Sequence, residues 1–186
     1  MVDIVFDGSV TGGGLVVSGA PTNSLTVDSS GNVTNPSSVS SAVLLGTARS
    51  SVTGDGTAYT VVMNSTQTGG DVGSAYNTST GIFTAPVTGV YTFDFCLTLG
   101  GLVELTHEVR VYMTIGLHDN EVVKHGLPTG IISGVTLGVS GSCTRYMTSG
   151  QTAELVLAVS GGAKAVTVLA NVNASIRTWF TGRLLG

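Results

Sequence analysis

Charge is what this 186-residue chain has least of: charged residues make up 10% of it, and the net charge is −4. Proteins that hold nucleic acid neutralise phosphates with basic stripes, and none is present here, so nucleic acid is not expected as a partner. No apolar run approaches the roughly 20 residues of a membrane-spanning helix. The opening MVDIVFDGSV has an acidic third residue and no basic flank, unlike a secretory leader. With Met1, these absences lead to the expectation of a protein made and assembled in a cytoplasm, away from membranes. Two cysteines, Cys96 and Cys143, are too few for a disulfide scaffold or a four-ligand zinc site. They read as small core hydrophobes, with a single disulfide left open.

Catalytic patterns are missing as well. The three histidines stand in THEV (His107), LHDN (His118) and KHGL (His125), and none has the spacing that brings two ligands to one metal. The run His118, Asp119, Asn120, Glu121 reads as a solvated turn, not a cation site. There is no nucleophile elbow, phosphate loop or dinucleotide fingerprint, and Glu104 with Glu108 suggests no acid–base pair without a cleft. No cofactor or metal is assigned, and the chain reads as a non-enzyme. Asn-x-Ser/Thr triplets at Asn32, Asn64, Asn77 and Asn173 are attributed to the Ser/Thr content.

What is present is hydrophobicity, 42% of residues, dispersed among 27 glycines and many Ser and Thr. Disordered chains combine low hydrophobicity with high net charge, so this chain folds. A folded protein with so little charge leaves wide uncharged patches, which invite association. Helical spacing of apolar residues is almost absent; short runs of Val, Thr, Tyr and Phe alternate with Gly, Asn, Ser and Asp clusters, the pattern of many short strands joined by turns. The chain is all-β.

Two regions differ in texture. Residues 1–57 read as an extended β-rich arm with strand candidates at Ile4–Phe6, Leu15–Ser18, Ser24–Val27 and Ala42–Leu45, and LTVDSSGNVT as a hairpin. Such a hairpin buries too little to stand alone, so the arm needs a partner surface. Residues 58–186 hold every aromatic except Phe6, and aromatics bury the most area per residue. Here 90–99 alternates strictly, Tyr91, Phe93, Phe95, Leu97 and Leu99 on one face and Thr92, Asp94, Cys96 and Thr98 on the other. Further strands are expected at 107–114, 134–139, 154–159, 165–170 and 178–185, enough for a two-sheet sandwich.

Three motifs carry a resemblance. The stretch YNTSTGIFTAPVTGVYTF, residues 76–93, with Tyr76, Thr80, Gly81, Phe83, Pro86, Gly89, Tyr91 and Phe93, resembles the signature of the globular head of complement component one, subcomponent q. TWFTGRLL, with Phe180 and Gly182, resembles that family's closing strand. MTSGQTAELVL, residues 147–157, resembles its penultimate strand pair, with Gly150-Gln151 where the family has Gly-Asp. The resemblance implies a jelly-roll β-sandwich of the complement and tumour necrosis factor type, packed as a homotrimer around a three-fold axis. No collagen Gly-X-Y tract precedes it. Together these readings give the expectation of a bacteriophage virion protein: a trimeric decoration or cement protein attached through residues 1–57 to the major capsid protein. The alternative is the receptor-binding head of a phage tail or head fibre, joined to a fibre or adaptor protein, with a host glycan or surface protein as ligand.

Overall fold

The structure, a computed structural model, describes residues 38–102, 108–126, 136–171 and 178–185, and within residues 1–37 the backbone of four short strands. Two compact units emerge, Met1–Val39 and Ser40–Gly186. In the first, β1 (Val5–Phe6), β2 (Gly14–Val16), β3 (Leu25–Val27) and β4 (Val33–Thr34) pair antiparallel in chain order. Val27 stands opposite Val33, the pairing that the LTVDSSGNVT hairpin requires; its turn, 28–32, lies outside the described residues.

The second unit contains β5 (Ser40–Leu44), β6 (Arg49–Thr53), β7 (Ala58–Thr60), β8 (Ser65–Val72), β9 (Tyr76–Asn77), β10 (Ile82–Thr84) and β11 (Gly89–Gly100). It continues with β12 (Glu108–Ile115), β13 (His118–Gly126), β14 (Leu137–Met147), β15 (Thr152–Ser160), β16 (Val166–Val168) and β17 (Trp179–Leu184). One sheet runs β6-β16-β11-β17-β5-β8, with β14 along the other edge of β11; the second runs β13-β12-β15-β10-β9, with β7 beside β15. All of these pairings are antiparallel, so the chain forms the two-sheet all-β sandwich that the strand pattern calls for, and the jelly roll that the resemblance implies. The core lies between the sheets: Phe83, Tyr91, Phe93, Leu97, Leu99, Val109, Val111, Met113, Leu155, Leu157 and Val159 are fully buried.

The head begins earlier than the expected boundary at 57/58. β5 pairs with β17 from Leu44↔Trp179 to Ser40↔Arg183, and β6 pairs with β16. Aromatic content marks that boundary in the sequence, yet 40–53 holds no aromatic and enters the core through Val43, Leu45 and Thr53. Two strands had no counterpart in the sequence reading, β8 (STQTGGDV) and β13 (HDNEVVKHG). Both close the paths of their sheets, and among their described residues only Val123 is buried, so neither needs the apolar alternation by which strands are recognised. β14 runs on to Met147, well past the expected end at 139; its outward positions there are Ser140, Ser142, Thr144 and Tyr146, which leave no apolar alternation.

The register of β11 decides the cysteine question. Cys143 stands opposite Phe93 and points into the core, whereas Cys96, three positions along, points to the other face opposite Ser140 and Trp179. Both thiols are free, and burial pushes both up from the ordinary thiol range. Intact mass spectrometry of non-reduced protein is expected to show two thiols, with half-buried Cys96 alkylated before Cys143; a mass lower by two hydrogens would contradict the register.

Candidate functional site

The motif residues converge on one aromatic cluster that ties the two sheets together. Tyr76 on β9 lies 5.6 Å from Phe180 on β17, Phe180 stacks at 5.8 Å on Phe93, and Phe83 on β10 meets Phe93 edge-on at 5.2 Å and Tyr91 at 5.6 Å. Aromatic pairs at such distances add about 0.5–1.5 kcal/mol each beyond the area they bury. The polar ends are satisfied. The Met63 amide donates to the Tyr76 hydroxyl at 3.1 Å, and burial pushes that phenol up to about 12. The Tyr91 hydroxyl donates to the Val87 carbonyl at 2.7 Å.

Glycines make the cluster possible. Gly182 stands opposite Phe93 on the core face, and a Cβ there would lie 3.0 Å from the Phe93 ring and 3.1 Å from Phe83. Gly81 closes the turn after β9 at φ +79°, its amide donating to the Asn77 carbonyl at 2.9 Å, while the Asn77 side chain accepts from Ser79 and Thr80. Pro86 follows β10 and is exposed; its carbonyl accepts from Ser149. Gly89 is the first residue of β11, paired with Met147 and without positive φ, and the chain turns just before it, at 86–88. The signature residues thus take part in packing and turns.

The outward faces of the two sheets differ in charge. On the β12-β13-β15 side, Glu108, Arg110, Asp119, Glu121, Lys124 and Glu154 share the outward face by register. Arg110 pairs with Glu108 and reaches Glu121 at 3.9 Å, and Lys124 reaches Glu108 at 3.7 Å. The hydrogen bond from Arg110 holds the Glu108 carboxyl below its ordinary range. On the β14-β11-β17-β5 side, the outward positions are Thr144, Ser142 and Ser140, then Thr92, Asp94, Cys96 and Thr98, then Arg183, Thr181 and Trp179, then Ser40, Ala42 and Leu44. Asp94 and Arg183 are the charges on that run. At its end, where β11 begins and β14 and β17 finish, Val90, Tyr146 and Leu185 are exposed.

The four residues 118–121 form the start of β13, not a turn. His118 and Asn120 face inward while Asp119 and Glu121 face outward, so they do not converge on a cation. Among the described residues no group of three or more His, Cys, Asp or Glu is placed to hold a metal. His125 is exposed near the end of β13; His107 and Glu104 lie outside the described residues, as do Asn32 and Asn173. Among the described residues no helix is long and apolar enough to cross a membrane.

Residues 47–127 match the family model of the C1q domain. The C1q-like match covers β6 to β13 and includes the Tyr76–Phe93 motif. Among solved structures, the globular domain of the zebrafish complement 1qA protein is 18% identical, with a TM-score of 0.51 over 80% of this chain and 98% of that one. The Eiger tumour necrosis factor of S. frugiperda is 10% identical, with a TM-score of 0.55 over 80% of this chain and 93% of that one. At these identities the likeness is one of fold, a C1q and tumour necrosis factor jelly roll. No curated protein matches the chain in sequence.

Proposed function

We propose that this chain is a non-enzymatic assembly protein whose C1q-like heads trimerise through the outward face of the β14-β11-β17-β5 sheet, and whose N-terminal residues seat the trimer on a virus particle as decoration or cement. The observation that carries the reading is the division of charge between the two sheet faces. An ion-paired face is built for water. A face of hydroxyls, Trp179, Cys96, Ala42 and Leu44, ending in exposed Val90 and Leu185, is one that association covers. A three-fold arrangement is what the C1q and tumour necrosis factor resemblance implies, and a closed ring satisfies every copy equally. The attachment role rests on the short strands of 1–39, which suit addition to a neighbour's sheet edge, and on avidity summed over three copies.

Thr181 sits in the middle of the low-charge face, opposite Ala42 and Asp94. Thr181→Arg is expected to convert trimer to monomer in light scattering with the β circular dichroism spectrum retained; a variant that stays trimeric would remove this face from the interface. Residues 40–186 alone are expected to trimerise and to fail to sediment with particles. Sedimentation of that shortened protein with particles would defeat the anchoring role. A receptor-binding head is the second reading, favoured by a polar cleft at the edge of the sandwich.

A further inference from the structure

We propose that the cleft between the start of β13 and the end of β14 binds a carboxylated saccharide, a site that rests on the receptor-binding reading and gives it its chemistry. The cleft is about 230 Å³ and is lined by Ile115, His118, Asn120, Arg145, Tyr146 and Gln151. These two strands are the edges at which the two sheets meet. His118, Asn120 and Arg145 occupy inward-facing register positions there, opposite Ile115, Met113 and the buried Tyr91, and so come to the open mouth of the sandwich.

The polar groups are oriented before any ligand arrives. Arg145 donates from Nε to Asn120 Oδ1 at 3.0 Å and from Nη1 to the Thr144 carbonyl at 2.9 Å, which fixes the guanidinium plane. Asn120 is itself anchored through Nδ2, which donates to the Met113 and His118 carbonyls at 3.0 and 3.2 Å. Gln151 Oε1 accepts from the Thr148 amide at 3.1 Å, which leaves Nε2 as a donor. Nη2 of Arg145 and the His118 imidazole have no hydrogen-bond partner among the described residues.

That inventory selects the ligand. Arg145 is the charged member of the lining and takes part in no ion pair among the described residues, in a chain whose net charge is −4. A planar guanidinium with unclaimed donors matches a carboxylate. Imidazole and phenol can each donate or accept, as sugar hydroxyls require. Tyr146 is 64% exposed and offers an aromatic surface on which the apolar face of a pyranose ring can stack. The volume is below the roughly 300–1,000 Å³ of sites for drug-sized ligands, which suits a single ring. Two features of the sequence meet here: the LHDN segment, and Gln151, where the complement-head pattern has Asp. An aspartate at 151 would place a negative charge in the cleft, whereas Gln151 adds a donor.

The test titrates the full chain separately with glucuronic acid, N-acetylneuraminic acid, glucose and a short peptide with a free C-terminal carboxylate, followed by calorimetry and ligand-observed NMR. At least one of the acidic sugars is expected to bind about tenfold or more tightly than glucose or the peptide, the scale of one charge-assisted contact. Tyr146→Ala and Arg145→Lys are each expected to weaken that binding by about tenfold, and Tyr146→Ala to leave the melting temperature unchanged because the ring is exposed. Any of three results overturns the proposal: glucose or the peptide bound as well as both acids, neither acid bound at millimolar concentration, or binding indifferent to Tyr146→Ala. All lining residues come from one chain. Because Tyr146 stands beside Val90 at the end of the low-charge face, the titration is repeated on monomeric Thr181→Arg, where the same preference for the acidic sugars is expected and its absence overturns the proposal.

Discussion

Phe93→Ala is expected to remove about 3–5 kcal/mol from the stability of the 40–186 unit, the cost of emptying a buried aromatic site. Phe93 is fully buried at the centre of β11, with Phe83 edge-on at 5.2 Å and Phe180 stacked at 5.8 Å. Its neighbour on β17 is Gly182, which has no side chain to relax into the void. The surrounding strands are held by continuous ladders on both edges of β11, so the cavity stays open. Total stabilities of single domains are about 5–15 kcal/mol, and the loss is a large share of that. Urea unfolding followed by the fluorescence of Trp179 measures it; a midpoint equal to the parent's would show that this cluster is not the centre of the core.

Gly81→Val is expected to cost a similar amount by a different route. The backbone at Gly81 has φ +79°, a left-handed conformation that costs an L residue about 1–2 kcal/mol. In addition, a Cβ there would lie 3.1 Å from the Val61 carbonyl oxygen and 3.2 Å from the Val62 Cα. These are backbone atoms beside the buried Val61, whose amide bonds Leu155 at 2.8 Å, and they cannot swing away. Forcing a branched side chain against them adds about 1–3 kcal/mol. Gly150→Ala separates the two costs: Gly150 has φ +83° with no atom within 4 Å of a Cβ, so only the conformational cost applies. A Gly81→Val protein no less stable than Gly150→Ala would show that the 78–81 turn is not packed against Val61 and Val62.

The strands of the core were legible because burial leaves an alternating trace: 90–99 reads as a strand from Tyr91, Phe93, Phe95, Leu97 and Leu99 alone, and the structure buries all five. The outer parts of the fold leave no such trace. β13 has an outward face of charge and an inward face that includes His118 and Asn120 at the mouth of the sandwich, so its opening residues 118–121 read as a turn by composition while the strand pairs with β12. β5 and β6 read as arm because they lack aromatics, yet Val43, opposite Phe180, and Thr53 are buried in the core. The candidate surfaces were less legible still. The charge asymmetry of the two faces depends on which of Glu108, Arg110, Lys124, Asp94 and Arg183 share a face, and only the strand register supplies that. The cleft joins residues 115–120 to 145–151, segments far apart in sequence that meet only when the edges of the two sheets come together.

The central claim is that the low-charge face is covered by further copies of this chain. Its most direct test is the mass of the purified full-length protein by light scattering. Three copies of the 18.7 kDa chain, about 56 kDa, is the expected result and holds on dilution through the micromolar range. A single 18.7 kDa species at every concentration would contradict it, leaving that face exposed to solvent in the free protein.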